Sequence, residues 1–516
     1  MERFLGQHGD QIKGVLSGYD RLSIRGTLRN LCYQQGIETF LCYHHIKYKD
    51  FGHYSQQLSK QLKSHIESLA EQAGRPVQYL ESSKISKEDR AREIMERDQI
   101  KEGLVCVLTS VEPCPSVRVT QDQETKRLHV KPGQRKCLFF YLYYVDRDFG
   151  LMHIRLQSWL PWRIDVWVNG RSWLACQLDR EGIGYQRKDN CFTHIDNLPR
   201  AQQLMDQLSR KDFRPMLDAL AQRVNPLLKQ LHLFGYYWGV RSSWGVRSSE
   251  YATDVMFQDR ATLEKLYPAL LHHAVDHFRS ADILRFLERR TSHRFHGEVV
   301  TNHSYRIEGV RIKHGVEENS IKMYDKGSVL RVETTVNNQQ RFKGHRWMKT
   351  RRGHRCKRWL PLRKGIVDMP AIAAISRAAN ARYLEALAVV TVPRPVAQTL
   401  DPISQRKVQD GRPYRPLRPV SPEDAAVFAV LLDARFQLKG FRNRDLSQAL
   451  WADEQKDDQQ RRKVSGRCTR LLRLLRAHHL IGKIPRTRYY RLTPRGQHSM
   501  TTALQLRNTD LARLAA

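Results

Sequence analysis

The sequence contains no stretch of about 18 consecutive apolar residues, the length that a membrane-spanning helix needs. Its opening segment, MERFLGQHGD, also lacks the apolar core of a secretory signal. We therefore expect a cytoplasmic protein with no membrane partner. The Walker, G-x-G-x-x-G, H-E-x-x-H and G-x-S-x-G motifs are absent as well. Their absence removes the usual sequence support for nucleotide hydrolysis, zinc proteolysis and serine hydrolysis.

The cysteines show no pattern of a disulfide or metal framework. The nine cysteines form no C-x-x-C pair, and their total is odd. This pattern argues against both a disulfide scaffold and a cysteine-rich zinc site. We expect reduced thiols that are mostly buried.

Acidic residues are scarce: 53 Asp and Glu stand against 88 Lys and Arg, which gives a formal net charge of +35. Such a surplus repels itself unless a polyanion binds, and phosphate backbones are common polyanions whose binding releases counterions. With 41% hydrophobic residues, the chain still has enough apolar material for cores. We predict a nucleic-acid partner, DNA or RNA. A generally basic proteome or a ribosome-like assembly is the alternative explanation.

Hydrophobic periodicity predicts an α+β fold, with a mixed α/β body that contains long antiparallel hairpins. GVLSGYDRLSIRGTL alternates as a strand does, whereas residues 53–75 and 87–103 repeat with helical spacing. LVCVLTS, from Leu104 to Ser110, is a compact candidate for a buried strand. RKCLFFYLYYVDRDFGLMHIRLQSWLP predicts two strands joined by a turn at Asp146–Gly150, since Asp and Gly suit such turns.

Domain boundaries follow from these patterns. We predict an N-terminal mixed α/β domain over residues 1–235 and a β-rich central domain over 250–390. Residues 391–420 are rich in proline, which precludes regular structure and suits a semi-rigid linker. A final domain occupies residues 421–500. The direct repeat WGVRSSWGVRSS at 238–249 is too short for a solenoid, and we attach no function to it.

The C-terminal segment has the order helix, helix, helix, strand, turn, strand. We predict that Ser421 caps a helix with an acidic first turn, and that residues 459–478 form a long basic helix with an apolar face. RLLRLLRAHHLIGKIPRTRYYRLTPRG resembles the end of bacterial winged-helix regulators of the MarR type, which implies a DNA-binding winged helix-turn-helix domain. In that resemblance the recognition helix carries Arg461, Arg462, Lys463, Arg467 and Arg470, and the wing carries Arg486 and Arg488. A winged helix used for protein contacts is the alternative.

The segment 339–365, QQRFKGHRWMKTRRGHRCKRWLPLRKG, contains no acidic residue. Basic residues interleaved with aromatic ones suit a surface that follows phosphates and stacks bases, in single strands or RNA. A solvated loop is the alternative. The candidate contact residues are Trp347, Arg351, Arg352, Arg355, Lys357 and Arg358.

A further polar cluster is expected in SIKMYDKGSVLRVETT, where two short strands flank a tight turn. Side chains two positions apart share a strand face, so Lys322 lies beside Tyr324, and Arg331 beside Glu333. Lys326 occupies the turn. A purely structural network of cross-strand ion pairs is the alternative.

This Y-x-K and R-x-E pattern resembles rolling-circle replication initiators and relaxases, in which a tyrosine attacks a DNA phosphodiester beside a divalent metal. The resemblance implies Tyr324 as nucleophile or polar partner, with Lys326 and Arg331 binding phosphate. It also implies Glu333 as a metal ligand, to which we add the strand carboxylates Asp20 and Asp254, with Mg²⁺ or Mn²⁺ as the metal. The chain lacks the His-hydrophobe-His metal motif and the second tyrosine of those proteins.

Blocks such as GVLSGYDRLSIRGTL, GLVCVLTSVEPC, SIKMYDKGSVLRVETTVNN and GFRNRDL also resemble a widespread group of bacterial proteins, most without a functional name. That resemblance implies little beyond the winged helix and an association with mobile DNA. We predict a DNA-processing protein of a mobile element or replication-initiator type, with metal-dependent nicking or strand transfer as its candidate activity. The alternative is a non-enzymatic transcriptional regulator or RNA-binding partner.

Overall fold

The computed structural model divides the chain into two compact units, residues 1–391 and 392–516. It describes residues 1–81, 85–228, 242–289, 297–306, 309–350, 353–390, 396–433, 436, 440–455, 457–485 and 487–509. The expected candidates Arg351, Arg352 and Arg486 lie outside the described residues, as does the first part of the WGVRSS repeat.

The first unit is built around one eleven-stranded sheet with the strand order β10-β11-β12-β13-β9-β1-β6-β5-β4-β3-β2. Its strands are β1 Ile12–Thr27, β2 Val77–Tyr79, β3 Gly103–Gln121, β4 Leu128–Asp146, β5 Gly150–Gln157, β6 Ile164–Asn169, β9 Ser243–Phe257, β10 Val299–Arg306, β11 Gly309–Val316, β12 Asn319–Asp325 and β13 Val329–Val336. The pairs are antiparallel apart from the parallel pair of β2 and β3. The expected mixed α/β body with long antiparallel hairpins is confirmed, including the turn between Asp146 and Gly150.

Helices cover both faces of this sheet. They are α1 Glu2–His8, α2 Gln34–Tyr43, α3 Phe51–Gln72, α4 Lys87–Arg97, α5 Gly170–Glu181, α6 Leu198–Arg210, α7 Arg214–Val224, α8 Arg260–Asp276, α9 Ser280–Phe286 and α10 Met369–Leu387. Helix α6 packs closely on β1 because Gly14 and Gly18 leave room for Leu198 and Met205. On the other face, Tyr19 of β1 donates a 2.6 Å hydrogen bond to the carbonyl of Met369 at the start of α10.

The predicted domains 1–235 and 250–390 contribute strands to this same sheet. Strand β9 pairs with β1 on one side and with β13 on the other, so it joins the two segments through backbone hydrogen bonds. Sequence distance does not reveal which strands pair, since register depends on non-local contacts.

Two short hairpins lie outside the main sheet in the first unit. Strands β7 Tyr185–Lys188 and β8 Cys191–Ile195 pair with each other, as do β14 Lys343–Lys349 and β15 Arg355–Pro361. All nine cysteines are free, and the sulfur atoms of Cys114 and Cys137 lie 3.2 Å apart.

The second unit combines helices with two small hairpins. Its elements are α11 Val396–Leu400, β16 Lys407–Gln409, β17 Arg412–Tyr414, α12 Pro422–Leu431, α13 Asn443–Trp451, α14 Asp458–Ala477, β18 Ile481–Lys483, β19 Tyr490–Leu492 and α15 Pro494–Asn508. The side chain of Ser421 accepts a hydrogen bond from the backbone of Asp424, so the predicted cap of α12 is confirmed.

The proline-rich segment is more ordered than a linker. The expectation that proline precludes regular structure there was wrong for residues 396–414, which form a short helix and a two-stranded hairpin. Leu400, Ile403 and Leu417 lie in the apolar core of the second unit. Pro402, Pro416 and Pro419 lie outside the short helix and strands, and Pro413 lies in β17, which pairs with β16 alone.

Among the described helices, none has both the length and the apolar character required to span a bilayer.

Candidate functional site

The expected polar cluster forms around Arg331 in the centre of the sheet. Cross-strand pairing sets Lys322 opposite Glu333 and Tyr324 opposite Arg331, so these four side chains share one face. Strand β9 adds Asp254, directly opposite Arg331. The sequence therefore located this cluster correctly.

A β-bulge brings Asp20 into the same cluster. The register between β1 and β9 shifts between Tyr19 and Arg21, so Asp20 is the extra residue. Bulges often re-aim a side chain in this way. The guanidinium of Arg331 donates a 3.1 Å hydrogen bond to Asp20. It also donates to both carboxylate oxygens of Asp254, at 2.6 and 3.0 Å. Asp20 and Asp254 are thus joined through one arginine.

Two members of the cluster were missed in the sequence. Arg171, in the first turn of α5, is fully buried and contacts Asp254 at 2.8 Å. Gly170 makes this approach possible, because a Cβ there would lie 2.1 Å from the carbonyl oxygen of Tyr19. Asn190 donates its side-chain amide to Asp20 and accepts from Arg331 through its backbone carbonyl at 2.6 Å. Neither residue carries a local sequence signal, because both reach the cluster through tertiary packing.

A second ion pair lies next to these arginine contacts. The ammonium of Lys322 lies 2.8 Å from Glu333 and 3.4 Å from Glu250. Glu250 was not among the predicted site residues. Lys326 lies at the turn, 5.7 Å from the centre of the Tyr324 ring. We call the set Asp20, Arg171, Glu250, Asp254, Lys322, Arg331 and Glu333 the buried charge network, in which Glu250 is the most exposed member.

Burial and charge act on this network in opposite directions. Burial, the largest single influence on Asp254, would raise its pKa, but Arg171 and Arg331 outweigh it and the pKa is lowered. For Asp20 burial prevails, and the pKa is raised although Arg331 opposes the shift. Burial works against the ammonium of Lys322, yet Glu333 and Glu250 raise its pKa. Burial and then Glu333 raise the pKa of Tyr324, which disfavours the phenolate that a nucleophile requires.

Three carboxylates of the network could hold a cation. Oxygen atoms of Asp20, Glu250 and Glu333 lie within 4.8 Å of one another. Two of the expected metal ligands, Asp20 and Glu333, belong to this group. The third member is Glu250 and not the expected Asp254. The donor set suits Mg²⁺ or Mn²⁺. Lys322 already contacts both glutamates, so a metal must displace its ammonium.

The acid-free segment forms a different kind of surface. We call the hairpin of β14 and β15 the basic ribbon. Its register pairs His345 with Trp359, Trp347 with Lys357 and Lys349 with Arg355, so these six side chains share one face. The exposed fraction is 67% for Trp347 and 53% for Trp359. The His345 and Trp359 rings meet edge to face at 4.7 Å.

Five cations of the basic ribbon are described with their side chains. Within the described ranges, Lys343, Lys349, Arg355, Lys357 and Arg358 form no ion pair. The ribbon is anchored at its base, where the buried side chains Phe342 and Leu362 flank a 2.8 Å backbone hydrogen bond. Since an isolated two-stranded hairpin is marginally stable in water, this anchor carries much of its order. The ribbon therefore presents charge and aromatic rings outwards.

A cleft of about 1590 Å³ adjoins the basic ribbon. Its lining includes His345 and Trp347 from the ribbon, and it contains six lysines and arginines against two aspartates. The cations are Arg25, Arg29, Arg214, Arg247, Arg363 and Lys364, and the acids are Asp218 and Asp368.

Both acids of the cleft make internal hydrogen bonds. Asp218 accepts from the indole of Trp244 at 2.7 Å, and Asp368 accepts from the backbone of Arg363 at 2.7 Å. Arg25 and Arg247 both contact the buried Asp165. Arg214 contacts Asp212 at 2.7 Å. Among the described residues, Arg29, Arg363 and Lys364 are the lining cations that form no ion pair, and they outnumber Asp218 and Asp368.

A second basic hairpin was missed in the sequence. Strands β3 and β4 continue past the end of β5, and over residues 111–138 they pair only with each other; we call this part the long ribbon. Its exposed cations are Arg118, Lys126, Arg127, Lys131, Arg135 and Lys136. The sequence signal was present in the alternating VRV and LHV that flank a polar turn. The expected strand was ended too early, at Ser110.

The cleft and both ribbons lie at one end of the sheet. Strand β1 ends at Thr27, opposite the first residue of β9. Strand β5 ends at Gln157, opposite Phe139, where the long ribbon leaves the sheet. Gly365, after the basic ribbon, bridges to Gly245 of β9.

In the second unit, the expected recognition-helix residues lie on α14. Arg461, Arg462, Lys463, Arg467 and Arg470 are all exposed there. Arg461 contacts Asp458 at 3.2 Å, and Arg467 contacts Glu454 at 3.4 Å. Arg488 is exposed between β18 and β19.

Comparisons with known proteins give no further guide: the chain matches no protein-family model, no curated protein and no solved structure.

Proposed function

We propose that the protein binds nucleic acid, with the basic ribbon as a principal contact surface. The observation that carries this proposal is the shared face of Trp347, Trp359, Lys349, Arg355 and Lys357, exposed and without internal ion pairs. Cations bind phosphates, and exposed aromatic rings stack on bases. A two-stranded ribbon also has the width to enter a major groove. This surface has no role in the core that would explain its composition.

We also propose that the second unit is a winged helix that binds duplex DNA. Its support is the element order, in which three helices α12, α13 and α14 precede the hairpin β18–β19. An isolated bridge between Phe441 and Tyr490 adds a third short strand to that hairpin. In winged helices the recognition helix enters the major groove and the wing lies near the backbone. The exposed arginines and lysine of α14 suit the first role, and Arg488 suits the second.

These surfaces together support a DNA-processing protein of a mobile element or replication-initiator type. Its alternative, a regulator or RNA-binding protein without enzymatic activity, uses the same contacts. The DNA-processing protein would carry out metal-dependent chemistry at the buried charge network, whereas the regulator or RNA-binding protein would not.

Fluorescence anisotropy with the full chain tests the nucleic-acid proposal. Labelled single-stranded DNA, single-stranded RNA and duplex DNA are titrated over a range of salt concentrations. We expect the substitution of Lys349, Arg355 and Lys357 by glutamine to weaken binding and to flatten its salt dependence. For duplex DNA the slope should fall by about 2 to 3, since each phosphate contact contributes about 0.9.

The matched control removes the same charge elsewhere. Lys49, Lys60 and Lys101 are exposed and lie outside both the ribbon and the cleft lining. Their substitution by glutamine should leave the slope nearly unchanged. Equal losses for the two triple variants would mean that only net charge matters and would refute the ribbon as a surface. For the winged helix, Arg462, Lys463 and Arg470 replaced by glutamine should weaken duplex binding more than single-strand binding.

A metal-dependent nicking activity is the second candidate function. The observation that favours it is the group of Asp20, Glu250 and Glu333 oxygens within 4.8 Å. We expect the wild type to nick supercoiled plasmid in Mg²⁺ or Mn²⁺, and Glu333→Gln to abolish nicking. Tyr324→Phe decides whether the tyrosine takes part. An intact plasmid with wild-type protein in both metals would exclude this function, and unfolding curves of each variant report whether it is folded.

A further inference from the structure

The cleft beside the basic ribbon is too large for an ordinary small-molecule site. Its volume of about 1590 Å³ exceeds the range of roughly 300–1,000 Å³ that small-molecule pockets occupy. Its lining combines cations with an exposed indole. A ligand that matches these features is long, anionic and partly aromatic.

The cations of the cleft come from several separate elements of its lining. Arg29 follows the end of β1, and Arg247 lies on β9. Arg363 and Lys364 follow the basic ribbon. A single phosphate group needs donors that converge, whereas a chain of phosphates needs donors along its path. This arrangement fits several successive phosphates.

The wall that carries Arg363 and Lys364 is fixed against β9. The backbone N–H of Val246 donates to the carbonyl of Lys364 at 2.6 Å. Gly245 permits this contact, because a Cβ there would lie 2.8 Å from the same carbonyl oxygen. Lys364 and its neighbour are therefore held at the cleft by the sheet. Within the residues that the structure covers, Arg29, Arg363 and Lys364 form no ion pair.

Trp347 is 67% exposed, whereas Trp244, which also lines the cleft, is buried. In a duplex the base faces are covered by neighbouring pairs, so an indole can stack only on an unpaired base or by opening the helix. Stacking on aromatic side chains is a general mode of single-strand binding and needs no particular base. The indole thus favours a single strand over a duplex.

We infer that the cleft binds a stretch of single-stranded nucleic acid, with its phosphates on Arg29, Arg363 and Lys364 and a base on Trp347. This inference rests on the proposed function and names its substrate class. The basic ribbon then forms one wall of the single-strand site.

The test uses the full chain with Arg29, Arg363 and Lys364 all replaced by glutamine. The probes are a labelled oligothymidylate, an oligouridylate and a duplex of equal length. We expect the variant to bind both single strands at least tenfold more weakly and the duplex within about twofold of wild type. Its salt slope for single strands should fall by about 2, at about 0.7 for each phosphate contact. The Lys49, Lys60 and Lys101 triple variant, with the same net charge, should bind as wild type does.

A cross-linking experiment provides a readout that does not depend on altered protein. Oligothymidylate with 4-thiothymidine is irradiated on wild-type protein, and the attached peptides are identified by mass spectrometry. We expect attachment within residues 343–364 or at the other segments that line the cleft, residues 25–29 and 242–247. Attachment confined to other segments, or equal losses for single strands and duplex in the cleft variant, would overturn the inference. If wild type binds none of the three probes, the proposed function itself fails.

Discussion

The buried charge network and the basic ribbon are both rich in charged residues, but they treat charge in opposite ways. In the network, each carboxylate or cation contacts a partner of opposite sign, as Arg331 does with Asp20 and Asp254. On the ribbon, cations such as Lys357 have no described ion-pair partner. Arg331 is 3% exposed, whereas Trp347 is 67% exposed. The two regions therefore differ in burial and in whether each charge has a partner of opposite sign. They do not differ in being rich in charged residues.

The largest expected effect is on stability, from the centre of the network. Arg331→Met removes the cation shared by Asp20 and Asp254 and leaves Arg171 as the cation that still contacts these two buried carboxylates. We expect a loss of about 3–5 kcal/mol in the free energy of unfolding, the range for breaking a buried ion pair on one side. Urea denaturation followed by circular dichroism measures it.

The matched control for this substitution is an exposed ion pair. Arg341 contacts Glu317 at 3.0 Å, and its side chain is 49% exposed. Arg341→Met should cost less than about 1 kcal/mol, because solvent screens such pairs. Comparable losses for the two variants would contradict the distinction between compensated, buried charge and exposed charge.

Glu112 lies where the long ribbon leaves the sheet, and its side chain is partly exposed. Its exposure is therefore between that of Arg331 in the buried charge network and that of Trp347 on the basic ribbon. Burial, the largest single influence, would raise its pKa, but hydrogen bonds from Tyr141, Ser110 and Arg155 lower the pKa of Glu112 from 4.5 to about 2. A depressed pKa stabilises the folded state above the unfolded pKa, and that stabilisation disappears as the pH falls from 4.5 towards 2. The contribution is at most about 3 kcal/mol.

The measurement is a pair of urea midpoints from pH 6 down to pH 3 for wild type and Glu112→Gln. The variant should be less stable at pH 6, and the difference should shrink as the pH falls below about 4.5. A difference that stays constant over this range would show that Glu112 does not titrate in this way.

The sequence predicted what is local and missed what depends on tertiary contacts. Alternation located β1, helical spacing located α14 (Asp458–Ala477), and the two-residue repeat set Arg331 beside Glu333. The bulge at Asp20 and the joining of two expected domains by β9 depend on strand pairing, which composition does not encode. The same is true of Arg171, which reaches Asp254 only because α5 packs closely on β1.

Two expectations about secondary structure were wrong, one in the proline-rich segment and one at the end of β3. The segment 396–414 was expected to be irregular, yet its apolar residues have a core to join. The predicted strand over residues 104–110 ended with its apolar run, although β3 continues to Gln121 because its pairing with β4 continues. In both cases the neighbouring structure decided the outcome.

We propose that the ribbon face serves binding and not folding, and one variant tests both parts of this proposal. Trp347→Ala combined with Trp359→Ala removes the exposed rings but no charge. Loss of one stacked base costs about 1–3 kcal/mol, so affinity for a labelled oligothymidylate should fall about tenfold or more. The urea midpoint should stay within the change that a surface substitution causes, about 0.5 kcal/mol. An unchanged affinity, or a large loss of stability, would contradict the claim.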